Sequence, residues 1–531
     1  MVTDPTTGNP TTGPLLDWWY VHAGYAGFKD GTSQSWDVPI GIEVEAQPAV
    51  RSEPILPPDR PWERDGSGPV NSFIFKDGLY IIDYNTPAGL CRAHSEDGYN
   101  WTKPEFGVVE FEGSTKNNIV TTRFGRIFED PSAAPEERFK AIGGKGGFYA
   151  REKDADGNYV EVQLDKEAVA RMGGPENPDI QDHIHLQEWN SEEFEGEWGT
   201  LKTFMMGAVS PDGFNWTYLE KPLLEEFVDG DNIVFYDEVL GQYVGYCRFH
   251  IAGRRCAGRC VSDDFRTFTP EQLAVMNDAL DPPDVSFYNH AYTRYPGRND
   301  LHLMFLSRFA QSSCTKDIQL GVSHDGLNWE RPDRNNHLID NYADGAGFGA
   351  ALDAGPGLLE MPDGRYAITY WGTDRKGAHD SDHVNLPIRY ALWEKDRLAG
   401  IRAKGHGRLT LRQDLYRAPP DCPDAIPAPI HNRFPPLADP NEPSRQLRLN
   451  YKTETGGFVK VELITHVGPK PHLSGSLSAM KGYSFADCDV LQGDELERVV
   501  TWKGNDNVAR LSDSLAIRIE MFKATLFAFS L

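Results

Sequence analysis

Four acidic positions stand at or just before apolar runs: Glu63 in Asp59-Arg-Pro-Trp62-Glu63, Asp231 in Asp229-Gly-Asp231-Asn232, Asp284 in Asp281-Pro-Pro-Asp284, and Asp353 ahead of Gly355-Pro-Gly357. Paired carboxylates can break an acetal, one protonating the leaving oxygen while the other attacks or activates water. Asp231, paired with Glu63, Asp284 or Asp353, is the expected couple. Each position also has a plainer reading: a solvated loop at Asp59 to Glu63, an Asx turn at Asp229 to Asn232, and a proline turn at Asp281. Glu360 fits simply as the opening of the Met-Pro-Asp-Gly hairpin.

Groups suited to sugar hydroxyls and ring faces lie beside these acids. They are Trp62, Asn118, Asn232, Arg248, His250, Arg255, Tyr288, Asn289 and Trp371. Other chemistries find less support. No G-x-S-x-G elbow is present, and Gly143-Gly-Lys-Gly-Gly147 lacks the P-loop spacing. His183 with His185, His379 with His383, and Cys256 with Cys260 do not complete a metal-ligand set. No cofactor and no metal are expected.

The elements that must position these residues show themselves by repetition. Ser95-Glu-Asp-Gly-Tyr-Asn-Trp101, Ser210-Pro-Asp-Gly-Phe-Asn-Trp216 and Ser323-His-Asp-Gly-Leu-Asn-Trp329 share one pattern, and Ser262-Asp-Asp-Phe-Arg-Thr-Phe268 is a degenerate copy. Asp-Gly suits a tight turn, and the following Trp can pack between sheets. Each copy therefore marks a hairpin near the outer edge of a blade. Apolar or alternating runs precede them, at Asn71 to Phe75 and Leu79 to Tyr84, Asn232 to Tyr236 and Tyr243 to Arg248, and His302 to Phe305 and Ile318 to Val322.

The wide gap between the first two copies predicts an insertion in blade 2, over 143–197. Blade 2 is expected to begin near Lys116-Asn-Asn118, and a fifth unit over Leu358 to Arg402. The expected fold is all-β: a five-bladed propeller over 1–404, with an N-terminal extension over 1–50, followed by a β-sandwich over 405–531. The sandwich is read from the runs RQLRLNY, GFVKVELIT, ELERVVTW, LAIRIEM and TLFAFSL, which follow a Pro-rich stretch.

These features resemble the five-bladed propeller glycosidases, furanosidase-like and sialidase-like, that carry a C-terminal β-sandwich as in glycoside hydrolase family 32. The repeat is similar to the Asp box of sialidases, shortened by one residue. W-x-N-D-P-N-G, Arg-Asp-Pro and Glu-Cys segments are absent, as is a recognisable order of three arginines. The resemblance implies a glycoside hydrolase acting on a glycosidic, furanosidic bond of an oligosaccharide or polysaccharide. A non-catalytic glycan-binding propeller, or a transglycosylase or lyase on the same scaffold, is the alternative.

With 53 Lys+Arg against 79 Asp+Glu, the net charge of −26 disfavours nucleic acid and anionic membranes as partners. The 51 Gly and 37 Pro favour turns and short strands over long helices. Seven cysteines without a tight framework suit a reducing compartment. A cytoplasmic protein is expected, although a secreted one with its signal removed would read the same. A homo-oligomer stays open.

Overall fold

The repeated Ser-x-Asp turn closes the same joint each time: Ser95, Ser210, Ser262 and Ser323 each end the third strand of a four-stranded antiparallel unit. Its hydrogen bonds explain its composition. In the second copy the Ser210 hydroxyl donates to Asp212 (3.0 Å), which also accepts the Phe214 and Asn215 amides (2.9 and 2.8 Å) and the Asn215 side chain (2.7 Å). Gly213 sits at φ +80°, where a side chain would be strained. In the degenerate copy Phe265 takes this left-handed position at φ +55°, and its fully buried ring offsets the strain. Trp101, Trp216 and Trp329 pack into three different interior clusters.

The backbone amides and Asn215 hold Asp212 ionised, its pKa brought down to about 2, and Asp97, Asp264 and Asp325 are lowered too. A depressed folded-state pKa stabilises above the unfolded value and loses that contribution as pH falls through the folded one. Stability should therefore drop as pH falls from about 4 toward 2. Urea melts of Asp212→Asn over that range should show a shallower decline than the unaltered protein.

The computed structural model describes residues 12–29, 32–64, 68–122, 124–153, 159–163, 199–224, 228, 230–341, 350–373, 385–412, 444–466, 477–508 and 514–531. Blade 1 is Val70–Lys76, Leu79–Thr86, Gly89–Ser95 and Ile119–Thr121. Blade 2 is Arg126–Glu129, Phe139–Lys153, Gly199–Ser210 and Thr217–Tyr218, and blade 3 is Ile233–Asp237, Gln242–Ile251, Arg254–Ser262 and Gln272–Val275. Blade 4 is Val285–Arg294, His302–Ala310 and Thr315–Ser323, with Ile339 bridging Ile318 at its outer edge.

Blade 5 is assembled from two distant stretches. Ala351–Ala354, Tyr366–Thr373 and Asn385–Trp393 accept Val50–Leu56 as their outermost strand. Each unit contacts the next, and blade 5 returns to blade 1, so the ring closes. The non-local strand Val50–Leu56 ties the N-terminal segment to the last blade.

Several boundaries differ from expectation. Asn118 does not open blade 2: it precedes Ile119–Thr121, the outermost strand of blade 1, and blade 2 starts at Arg126. Part of the expected excursion in blade 2 continues a strand, since residues up to Lys153 pair with Gly199–Ser210 and Tyr159–Gln163. The rest of it, with His183 and His185, lies outside the described residues, as do His379 and His383.

In the C-terminal β domain, runs expected as separate strands merge across bulges into Arg448–His466 and Ser514–Ser530. These join Ala399–Arg412 in one seven-stranded antiparallel sheet, which also takes in Thr12–Pro14 and Glu43–Ala46 from the N-terminal extension. At the bulge, any side chain on Gly457 would collide with the Lys523 carbonyl, 2.4 Å from its Cβ position.

Candidate active site

The chain runs the same way along each inner strand, so the starts of those strands gather at one end of the central channel. At this mouth the β-bulge of blade 4 does the aiming. Phe287 pairs with Arg308 and Asn289 with Ser307, which leaves Tyr288 as the extra residue. A bulged residue is turned out of the regular alternation. The Tyr288 ring thereby becomes the platform on which charged groups from two blades meet.

From blade 3, the Arg248 guanidinium lies 4.4 Å from the ring centre and Arg255 4.8 Å; from blade 4, the Lys316 ammonium lies 4.1 Å away. Each of two carboxylates is tied to one of these cations. Arg248 donates to Asp231 (3.0 Å) and to the Tyr288 carbonyl (2.6 Å), while Lys316 donates to Asp353 Oδ2. Asp231 adopts φ +61°, a conformation Asp tolerates better than most residues, and Asn232 fixes the strand behind it by accepting the Arg248 amide (3.1 Å).

Asp231 is 25 % exposed, whereas Lys316 is 3 % exposed. Asp353 Oδ1 is buried without a hydrogen-bond partner among the described residues. Burial raises the Tyr288 pKa; Arg248 and Arg255 oppose the rise, and Asp353 and Asp231 add to it. The phenol is therefore neutral and keeps its proton. Deeper in, His290 is also neutral, its pKa pulled down to about 4 by burial, and its Nε2–H donates to the Tyr246 carbonyl (3.0 Å). Asn289 ties blade 4 to blade 5 by donating to the Ala354 carbonyl (3.1 Å).

Of the residues singled out from the sequence, the structure thus gathers Asp231, Asn232, Arg248, Arg255, Tyr288, Asn289 and Asp353. His250 pairs with Arg255 across adjacent strands. The others stand apart. Asp284 clasps the next turn, accepting the Ser312 amide (3.1 Å) and hydroxyl. Those two bonds lower its pKa.

Glu63 is fully buried, and both of its oxygens are committed. It accepts the Asp59 and Arg60 amides (3.0 Å each), the Lys103 ammonium (2.7 Å) and the Tyr84 hydroxyl (2.6 Å). Trp62 donates to Asn118 (2.8 Å), which itself donates to Tyr84 (2.9 Å), so these three form a structural network with Glu63. Trp371 is buried under Gly68.

Sequence reasoning missed Lys316 and Arg126. Lys316 is the second residue of Thr315–Ser323, next to Asp317 in a strand of mixed polarity, so nothing local singled it out. Arg126 begins the blade 2 inner strand, which the misplaced blade boundary concealed. Among the described residues no group of three His, Cys, Asp or Glu side chains could hold a metal ion.

No family model matches the chain, and no curated protein matches it in sequence. Solved structures do show a likeness. A thermostable family-43 glycoside hydrolase is 14% identical, over 61% of this chain and 89% of that one, with a TM-score of 0.36. A sucrose-6-phosphate hydrolase from Lactobacillus gasseri is 12% identical over 88% and 90%, with a TM-score of 0.33. A fructofuranosidase from Schwanniomyces occidentalis is 12% identical over 90% and 96%, with a TM-score of 0.34. At these TM-scores the likenesses assign the chain to no family. The propeller is established by its own strand pairing.

Proposed function

We propose that the protein is a glycoside hydrolase that cleaves a furanosidic bond of an oligosaccharide or polysaccharide at the channel mouth. The observation that carries this reading is that Asp231 and Asp353, from two different blades, are each bound to a cation that lies over the single ring of Tyr288. Arg248 holds Asp231 in place while leaving it partly exposed, which suits a nucleophile or a base toward water. Asp353, paired with Lys316, would stabilise the positive sugar ring of an oxocarbenium-like transition state. Arg255 and the Tyr288 hydroxyl are donors for sugar oxygens. The furanosidic part of the proposal rests on the resemblance carried by the repeated turn and the two-domain layout.

One feature of the site favours a second reading. Each carboxylate already accepts a hydrogen bond from a cation, Asp231 from Arg248 and Asp353 from Lys316, an arrangement that suits holding a glycan as well as cleaving one. Incubating the protein with fructans, arabinans and sialosides separates the two: free reducing sugar should appear from a furanoside, whereas binding without release would support the lectin-like reading. Asp284→Asn should leave any such rate unchanged in the same assay, because Asp284 only clasps the turn at Ser312.

A further inference from the structure

Toward the later residues of the inner strands the channel opens into a cavity of about 490 Å³, whose lining also takes in Ile233 and Arg126 from two strand starts and which holds three arginines, Arg126, Arg294 and Arg298. Two of the three are answered. Asp237 accepts from Arg294 (2.6 Å), and Asp300 accepts from Arg298 (2.7 and 2.8 Å). Arg126 has no hydrogen bond or ion pair among the described residues. The opposite charge acting on it is Asp83, both of whose oxygens are already taken by Arg92 (2.7 and 2.9 Å). Burial pulls the Arg126 pKa down to about 10, the mark of a desolvated cation short of a counter-charge.

Two further donors point the same way. Ser72, on the wall of the cavity, is 9 % exposed, and its hydroxyl is buried with no hydrogen-bond partner among the described residues; Arg294 Nε is likewise unanswered. Buried polar groups are rarely left without partners, and a buried unpaired cation is costly. Phe235 and Tyr292, stacked at 4.5 Å, line the cavity and offer an apolar wall, while Glu238 stays exposed at the rim.

We propose that the lower channel binds a small molecule through an oxyanion, a carboxylate or phosphate group, held by the Arg126 guanidinium with the Ser72 hydroxyl and Arg294 Nε–H as further donors. A planar guanidinium matches either oxyanion with two parallel bonds. The volume has room for a sugar-sized body behind that group. The lining of this cavity does not include Asp231, Tyr288 or Asp353, so the proposal does not depend on the hydrolase reading.

Thermal melts of the full chain, titrated with inorganic phosphate or with glucuronate at constant ionic strength, test it. A saturating rise in Tm is expected with at least one anion. A rise with phosphate alone assigns a phosphate ligand, and a rise with glucuronate alone a carboxylate. Arg126→Met should abolish the rise, yet melt at or above the unaltered protein in anion-free buffer, because it removes a half-buried cation that has no hydrogen-bonded counter-charge among the described residues. A merely structural Arg126 would give the reverse. Ser72→Ala, which keeps the arginines, should weaken binding by about tenfold and remains informative if Arg126→Met does not fold. The absence of a saturating rise with both anions, or an undiminished rise in both variants, would overturn the proposal.

Discussion

Glu63→Ala is expected to destabilise the propeller by about 3–5 kcal/mol, the usual cost of removing one partner from a buried ion pair. The substitution strips the acceptor from the Lys103 ammonium, 6 % exposed, from two backbone amides and from the Tyr84 hydroxyl. Asp59 also accepts from Lys103 (2.7 Å), which limits the loss without abolishing it, because Asp59 is largely exposed. Equilibrium urea unfolding should show the drop as a lower midpoint, while turnover per folded molecule stays unchanged. A loss of turnover in a variant as stable as the unaltered protein would return Glu63 to the chemistry.

Asp353→Asn should act in the opposite way, on rate first. If the Asp353 charge stabilises a cationic transition state, its loss is expected to lower kcat by about 10²–10⁴-fold, the range seen when one such group is removed. The variant also leaves the nearly buried Lys316 ammonium without its counter-charge, so some stability is lost as well. Asp353→Asn combined with Lys316→Met removes both charges and should recover stability but not rate. That split between folding and turnover separates a catalytic carboxylate from one that only holds a lysine.

The repeated turn was legible because its chemistry is local. Ser, Asp, Gly and Asn satisfy one another within a few residues, and the hairpins they close could be ordered along the chain. Asp231 was legible for a related reason, since it lies just before the short strand Ile233–Asp237, whereas Asp353, third in Ala351–Ala354, was marked by the Gly-Pro-Gly turn that follows it.

What stayed hidden depends on partners far away in sequence. The strand Val50–Leu56 completes blade 5 across more than three hundred residues, and nothing in its own composition says so. Asn118 looked like the start of a new blade because a polar pair precedes an apolar run there. Only three residues of that run form a strand, paired to blade 1. Glu63 looked like a loop carboxylate because its burial comes from Tyr84 and Lys103, which no local pattern announces. Asp284 precedes an inner strand as expected, but its partner, the turn at Ser312, lies too far along the chain for a local pattern to announce it. The merging of the C-terminal runs followed from bulges, where a break in alternation reads as the end of a strand although pairing resumes beyond it.

The most direct measurement is the rate of sugar release by Asp231→Asn, beside the unaltered protein and Asp284→Asn, on whichever glycan the unaltered protein cleaves. With folding verified by circular dichroism, Asp231→Asn should lose about 10²–10⁴-fold in kcat while Asp284→Asn keeps the full rate. Equal rates in Asp231→Asn and the unaltered protein, or no release of sugar by the unaltered protein from any glycan it binds, would contradict the assignment of the channel mouth as a hydrolytic site.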